Sequence, residues 1–332
     1  MRRLVLKALG ALVLSGGVAV AQEIRPAIVF DMGGRNDRSF NEAVHRGGQE
    51  FQRSTGIQVA EFEVTAEPQR EQALRNFARR GHSPIVAVGF AQRSALQTVA
   101  AEFPQTQFVI MDSMVDLPNV QSVLFREEQG SYLAGMMAAM ASRSGRIGFV
   151  GGMDIPLIRK FACGYVQGAR AVNPNIQVFQ NMTGSTPSAW RDPVRGGELA
   201  RSQIERGADV VFHAAGGTGT GVLQAAADAG RLGIGVDSNQ NHLHPGRVLT
   251  SMLKRVDVAT RLAFEQARAG QFRTGRQVLG LAEDGVGVAF DEHNAALVTA
   301  EMRARIDQAR ADVVAGRVTV HDFMSNNACP VQ

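Results

Sequence analysis

Residues 28–41 run Ile28-Val29-Phe30-Asp31-Met32-Gly33-Gly34-Arg35-Asn36-Asp37-Arg38-Ser39-Phe40-Asn41. An apolar strand ends in Asp31, a glycine turn follows, and polar residues open a helix with Phe40 and Asn41 in its first turn. A carboxylate, flexible backbone, an aromatic face and an amide thus gather at the carboxyl end of a strand. Open α/β sheets bind their ligands at that place.

The arrangement recurs on either side of this stretch. Apolar runs at 26–31, 57–64, 84–89, 106–112 and 120–125 read as strands, with helical patterns at 39–54, 68–80 and 92–102 between the first four. An Ala- and Met-rich helix follows at 128–142. The alternation restarts with strand 145–151, helix 156–172, strand 176–182, helix 192–206, strand 209–215, helix 219–229 and strands 232–237 and 247–252. A helix at 256–269, two short strands within 277–290 and a helix at 297–315 complete the pattern. Repeated βαβ units predict parallel sheets with right-handed crossovers. Continuous apolar strands such as Ile85-Val86-Ala87-Val88 fit sheets covered on both faces. The fold class is therefore α/β, with two similar doubly wound parallel-sheet lobes joined by a multi-strand hinge. Crossings near 126–128, 253–256 and 288–292 give one lobe 22–127 plus 254–290, the other 128–253 plus 291–320, and leave a tail at 321–332.

Residues 1–21 are expected to lie outside the fold. Arg2, Arg3 and Lys7 precede an apolar run to Val20, and Ala19-Val20-Ala21 fits a cleavage site, so the segment reads as a secretory signal peptide. Its core is shorter than the roughly 20 apolar residues of a membrane anchor. No cysteine stands near the cleavage point, so a free periplasmic protein is expected. Without the three signal charges, 32 Lys+Arg face 31 Asp+Glu. A basic footprint for nucleic acid is absent.

Cys163 and Cys329 are the only cysteines. They could pair in an oxidising compartment or stand as two separate thiols. Beyond the signal the only lysines are Lys160 and Lys254, against 30 arginines. A chain that elsewhere uses arginine singles out these two places for a compact ammonium charge.

The strand ends carry the candidate chemistry: Asp31, Gly89-Phe90, Asp112-Ser113, Gly151-Gly152, Gly216-Gly217-Thr218-Gly219 and Asp237. One such aspartate is ordinarily a turn former or helix cap; three at equivalent strand ends favour one shared cleft. The glycine turn at 214–221 matches neither a P-loop nor GxGxxG, although Asp237 lies about 20 residues beyond it, as a ribose-binding acid would. Exposed amides at a helix N-terminus and a carboxylate at the next strand end can grip a hydroxyl-rich ring, and Lys254 could add a charged donor. Phe40, Phe90 and Trp190 are the aromatics placed at loops and helix starts, with Asp192-Pro193 predicted to cap a helix just after Trp190. Two aromatics facing across a cleft would sandwich a flat heterocycle. Neither GxSxG nor HExxH occurs, and His242-Leu243-His244 lacks metal-site spacing. No catalytic group, cofactor or metal is expected.

Several motifs together carry a resemblance. They are Gly33-Gly34, Asp37, Ser39-Phe40-Asn41, Val88-Gly89-Phe90, Glu127-Glu128, Gly130-Ser131-Tyr132-Leu133-Ala134-Gly135, Gly151-Gly152-Met153, Pro156, Asp192-Pro193, Ala215-Gly216-Gly217-Thr218-Gly219, Gly235-Val236-Asp237-Ser238, Gln240 and Ser251, followed by Lys254-Arg255-Val256-Asp257. The chain resembles, over essentially its whole mature length, the basic membrane protein family of periplasmic substrate-binding proteins, which includes purine nucleoside receptors of ABC importers. The resemblance implies the type I periplasmic-binding fold, a purine nucleoside as the small-molecule ligand and an ABC permease as partner. It implies a base stacked between Phe40 and Trp190, a ribose held by Asp237, Gly217 and Lys254, and Asp31, Asn41 and Asp112 near the base. A monomer without enzymatic activity is expected. Departures are the missing lipobox cysteine and Trp190 where phenylalanine is frequent. A sugar or another heterocycle such as a flavin, and a nicotinamide-dependent enzyme, stand as alternatives.

Overall fold

The computed structural model describes residues 23–331; the signal segment 1–21 lies outside the described residues. The strands form two six-stranded sheets. The first comprises β1 (Ala27–Phe30), β2 (Ala60–Glu63), β3 (Ile85–Ala87), β4 (Phe108–Met111), β5 (Val120–Phe125) and β11 (Gly275–Leu279), in the order β11-β5-β4-β3-β1-β2. All its pairs are parallel. The second comprises β6 (Arg146–Met153), β7 (Gln177–Gly184), β8 (Val210–Ala214), β9 (Leu232–Asp237), β10 (Val248–Lys254) and β12 (Val286–Val288), in the order β12-β10-β9-β8-β6-β7. Each strand of one sheet has a counterpart in the other, β1 with β6 through β5 with β10, and β11 with β12.

Nine helices among the described residues cover these sheets: α1 (Phe40–Thr55), α2 (Gln69–Arg79), α3 (Arg93–Glu102), α4 (Glu127–Ala141), α5 (Pro156–Val172), α6 (Pro193–Glu205), α7 (Gly219–Asp228), α8 (Val256–Arg268) and α9 (Ala300–Val314). Alternation along β1 sorts the layers. Ala27 and Val29 join the core under α2 and α3, whereas Ile28 and Phe30 join the core that contains α1 and α8. That second core runs on without a break into the other lobe, through Leu133, Phe149, Phe161 and Tyr165.

The chain crosses between lobes after β5, after β10 and between β11 and β12. Helix α4 leaves the first sheet to pack on α5, and α8 leaves the second to pack on α1. The α4–α5 approach is close enough to require glycine: a Cβ on Gly135 would lie 2.0 Å from the Tyr165 carbonyl oxygen, and one on Gly168 would lie 1.9 Å from that of Tyr132.

One sequence expectation needs correction here. The sequence places the third crossing near 288–292, which would give both short strands to the first lobe. Instead β12 pairs antiparallel with β10, Met252 opposite Val288, so the chain crosses between Leu279 and Val286. The second sheet is parallel except at this edge. The helix expected from 297 starts at Ala300 because the Thr299 side chain caps it, accepting from the Met302 N–H. Asp192 caps α6 as expected, with Pro193 in the first turn. Cys163 and Cys329 are joined as a disulfide that ties the C-terminal tail to α5.

Candidate functional site

The strand ends of both sheets face one cavity between the lobes. It is lined from the first lobe by Asp31, Gly33, Asp37, Phe40, Asn41, Gly89, Phe90 and Asp112. The second lobe contributes Leu157, Ile158, Phe161, Trp190, Ala214, Gly216, Val236, Asp237 and Lys254. Eight of the nine residues singled out from sequence therefore line one cavity: Asp31, Phe40, Asn41, Phe90, Asp112, Trp190, Asp237 and Lys254. Gly217 does not line the cavity. Its neighbour Gly216 does, because the turn there is made by Gly216 in left-handed backbone, φ 55°.

The carboxylates carry their own counter-charges. Arg70, reaching from α2, donates Nε and Nη2 to Asp31 Oδ1 at 3.1 and 2.9 Å. Asp112 Oδ2 accepts from Lys254 Nζ at 2.6 Å, leaving Oδ1 buried without a hydrogen-bond partner among the described residues. Burial pushes the Asp112 carboxyl up to about 6, against the pull of Lys254. Asp237 also rises to about 6 through burial, opposed by Lys254 and by the hydroxyl hydrogen bond it accepts from Ser39. Asp112 and Asp237 both adopt left-handed backbone, φ 64° and 62°. Such a conformation is uncommon outside glycine, though aspartate and asparagine tolerate it better than most.

Lys254 is only 2% exposed. Its ammonium also lies 2.9 Å from Glu127 Oε1, while Lys160 Nζ lies 2.9 Å from Glu127 Oε2. Each oxygen of Glu127, the first residue of α4 after the crossing, thus holds one of the two lysines. Lys160 further meets Glu128 at 3.2 Å, Asp322 of the tail at 3.6 Å, and donates to the Phe125 carbonyl at 2.7 Å. Burial lowers the affinity of Lys254 for its proton, but Asp112, Glu127 and Asp237 together hold it above the ordinary lysine value. The lysines likewise outweigh burial at Glu127 and keep its carboxyl below the usual range.

The aromatic and apolar lining comes from both sides. Phe40 and Phe90 belong to the first lobe, Phe161 and Trp190 to the second. Trp190 closes a short turn over Pro187–Trp190 and lies against the Gly152 backbone, where a Cβ would come 2.0 Å from Cζ3 of the indole. Phe161, Ile158 and Leu157 share the first turns of α5 and line the cavity, although nothing in the sequence singles them out as site residues. The lobes are also bonded to each other directly: Ser238 Oγ donates to the Ser39 carbonyl at 2.9 Å, and Gln240 Nε2 donates to that of Arg38 at 2.9 Å. No cluster of three or more potential metal ligands occurs among the described residues.

Residues 24–318 match the family model described as ABC transporter substrate-binding protein PnrA-like. The chain is 30% identical, over 90% of its length and 88% of the relative's, to the CD4+ T-cell-stimulating antigen of Listeria monocytogenes. It is 31% identical, over 91% of its length and 90% of the relative's, to the ABC transporter nucleoside-binding protein BmpA of Lactococcus lactis. Among solved structures, an ABC transporter solute-binding protein from Aeropyrum pernix K1 superposes with a TM-score of 0.83 at 25% identity, covering 92% of this chain and 95% of that one.

Proposed function

The chain belongs to the PnrA-like family of ABC transporter substrate-binding proteins, and on that premise we propose that its cleft takes a purine nucleoside for delivery to an ABC importer. Membership in this family brings a small-molecule ligand and a permease partner. The observation that carries the finer reading is the composition of one cavity, in which Phe40 and Trp190 come from opposite lobes and share the lining with three carboxylates at strand ends.

A purine is flat, apolar on its faces and polar at its edge. Phe40 and Trp190 supply faces, and aromatic stacking contributes about 0.5–1.5 kcal/mol beyond area burial. Asp31, Asn41 and Asp112 supply acceptors for the edge of the base, with Phe90 beside them. Asp237 and the third N–H of Lys254 serve the ribose hydroxyls, and Gly216 brings backbone close to the sugar. Closing the lobes over the ligand expels water and strengthens each of these contacts. The signal segment read at 1–21 supports export to the periplasm, and a free monomer that carries its ligand to the permease is part of this proposal.

Calorimetry with adenosine, guanosine, inosine, uridine, free bases and ribose tests the proposal. Purine nucleosides are expected to bind well above uridine and ribose, with a change in the fluorescence of Trp190, the chain's single tryptophan. Binding of ribose alone, or of neither class, would overturn it.

A further inference from the structure

Asp37 was not singled out as a site residue from sequence, yet it lines the cavity and is only 7% exposed. Its carboxylate accepts four hydrogen bonds. Oδ1 takes the N–H groups of Ser39 and Glu42, at 2.8 and 3.1 Å. Oδ2 takes the Asn41 N–H at 3.0 Å and the Asn41 side-chain Nδ2 at 3.1 Å. Three of these donors are backbone groups whose polarity cannot be reversed. Both carboxylate oxygens are therefore committed as acceptors, and only the nitrogen end of the Asn41 amide can meet them. The glycine at 33 accommodates this arrangement, since a Cβ there would lie 2.7 Å from Asn41 Nδ2.

The amide is thereby set one way round. Asn41 is 4% exposed, and its Oδ1 is buried without a hydrogen-bond partner among the described residues. Around it, both Arg70 donors that reach Asp31 go to Oδ1 and leave Oδ2 outside the pair. Asp112 keeps Oδ1 unpartnered. The first lobe's polar side of the cleft thus offers oxygens, while the donors nearest to it are taken up by carboxylates.

We propose that Asp37 is a positioning residue that fixes the Asn41 amide with its oxygen left for the ligand. The cleft in consequence selects heterocycles that bring an N–H donor to that oxygen. This deepens the nucleoside proposal and rests on it. A ligand without the donor leaves a buried carbonyl unsatisfied, a cost of about 1–3 kcal/mol, or roughly 5- to 150-fold in affinity. Adenosine and inosine carry an N–H on the six-membered ring or its substituent. Purine riboside has the same ring system and sugar, lacks the substituent at C6 and carries none.

The test is calorimetry of the whole protein with adenosine, inosine and purine riboside. The expected result is purine riboside binding at least tenfold more weakly than inosine. Asp37→Asn, whose amide can itself donate to Asn41 Oδ1 and so turn the Asn41 amide round, is expected to shrink that ratio to about twofold. The exchange Asp37→Asn with Asn41→Asp, which restores an acceptor at position 41, is expected to bring the ratio back. Equal binding of inosine and purine riboside by the unsubstituted protein would overturn the inference while leaving the nucleoside proposal standing. So would a uniform loss for all three ligands in Asp37→Asn, the signature of a purely structural role. Absence of binding by all three would overturn the nucleoside proposal and this inference with it.

Discussion

Asp112 and Asp237 end the corresponding strand of each sheet, share a left-handed backbone with φ of 64° and 62°, and are both raised by burial to about 6. Each reaches across to the opposite lobe. Asp112 takes the ammonium of Lys254 and Asp237 takes the hydroxyl of Ser39. The scaffold is the same and the partners differ. At Asp112 the contact is an ion pair that continues through Glu127 into the hinge and on to Lys160. At Asp237 it is one neutral donor at the mouth of α1. Two equivalent positions thereby make different cross-lobe contacts: one belongs to a buried charge network that runs through Glu127 to Lys160, the other to a single hydroxyl hydrogen bond.

The largest effect should come from breaking the first of these contacts. Lys254→Met leaves Asp112 and one oxygen of Glu127 buried without a counter-charge, an expected loss of about 3–5 kcal/mol in stability. Ser39→Ala removes one hydrogen bond to a carboxylate and should cost about 1.5–3 kcal/mol. Thermal melting of the two variants side by side checks the contrast, and equal losses would mean that the two aspartates are not differentiated.

A second contrast lies between the aromatic residues of the two lobes. Trp190 depends on the bare backbone of Gly152, so Gly152→Ala should displace the indole and mimic Trp190→Ala. Both are expected to weaken nucleoside binding by roughly ten- to a hundredfold, on the scale of a buried aromatic contact. Titration of the two variants checks this, and normal affinity in Gly152→Ala would remove the glycine platform from the account.

The smallest effect separates binding from stability by pH. Asp37, Asp112 and Asp237 are each raised by burial to about 6. As pH falls from 7 to 5 they take up protons, acceptors turn into donors, and affinity for an N–H-bearing ligand should fall by about tenfold. Stability moves the other way for these groups. A carboxyl raised in the fold is penalised when ionised, so its penalty is relieved as pH falls through 6 toward the unfolded value near 4. Glu127, held low by its lysines, opposes this only at more acid pH. Calorimetry and melting at both pH values should therefore diverge, and a parallel fall would point to unfolding.

The alternation of apolar runs and glycine turns was enough to read the two sheets, because each βαβ unit is local in sequence. The site was legible where it follows a strand end, as at Asp31, Asp112 and Asp237. Arg70 was not, because an arginine on an amphipathic helix looks solvated until the fold brings it to a strand end 39 residues away. Phe161 and Ile158 share the pattern of an ordinary core face, and only their place beneath the cleft distinguishes them. Glu127 stands in the sequence only as a motif residue just before the helix predicted from 128, with nothing local to connect it to Lys160 and Lys254. The sheet membership of β12 depends on β10, a partner that a three-residue strand does not specify by itself.

The exchange of helices after β5 and β10 has a consequence for how this molecule could be divided. Residues 23–125 encode five of the six strands of the first sheet but lack α8, whose Phe264 meets Phe51 of α1 edge-on at 5.3 Å. Such a half would keep α1 over Ile28 and Phe30 but leave Phe51 without the Phe264 ring that packs on it. The two similar halves are therefore not modules that would each stand alone. Part of the packing that covers each half is encoded in the other's half of the sequence.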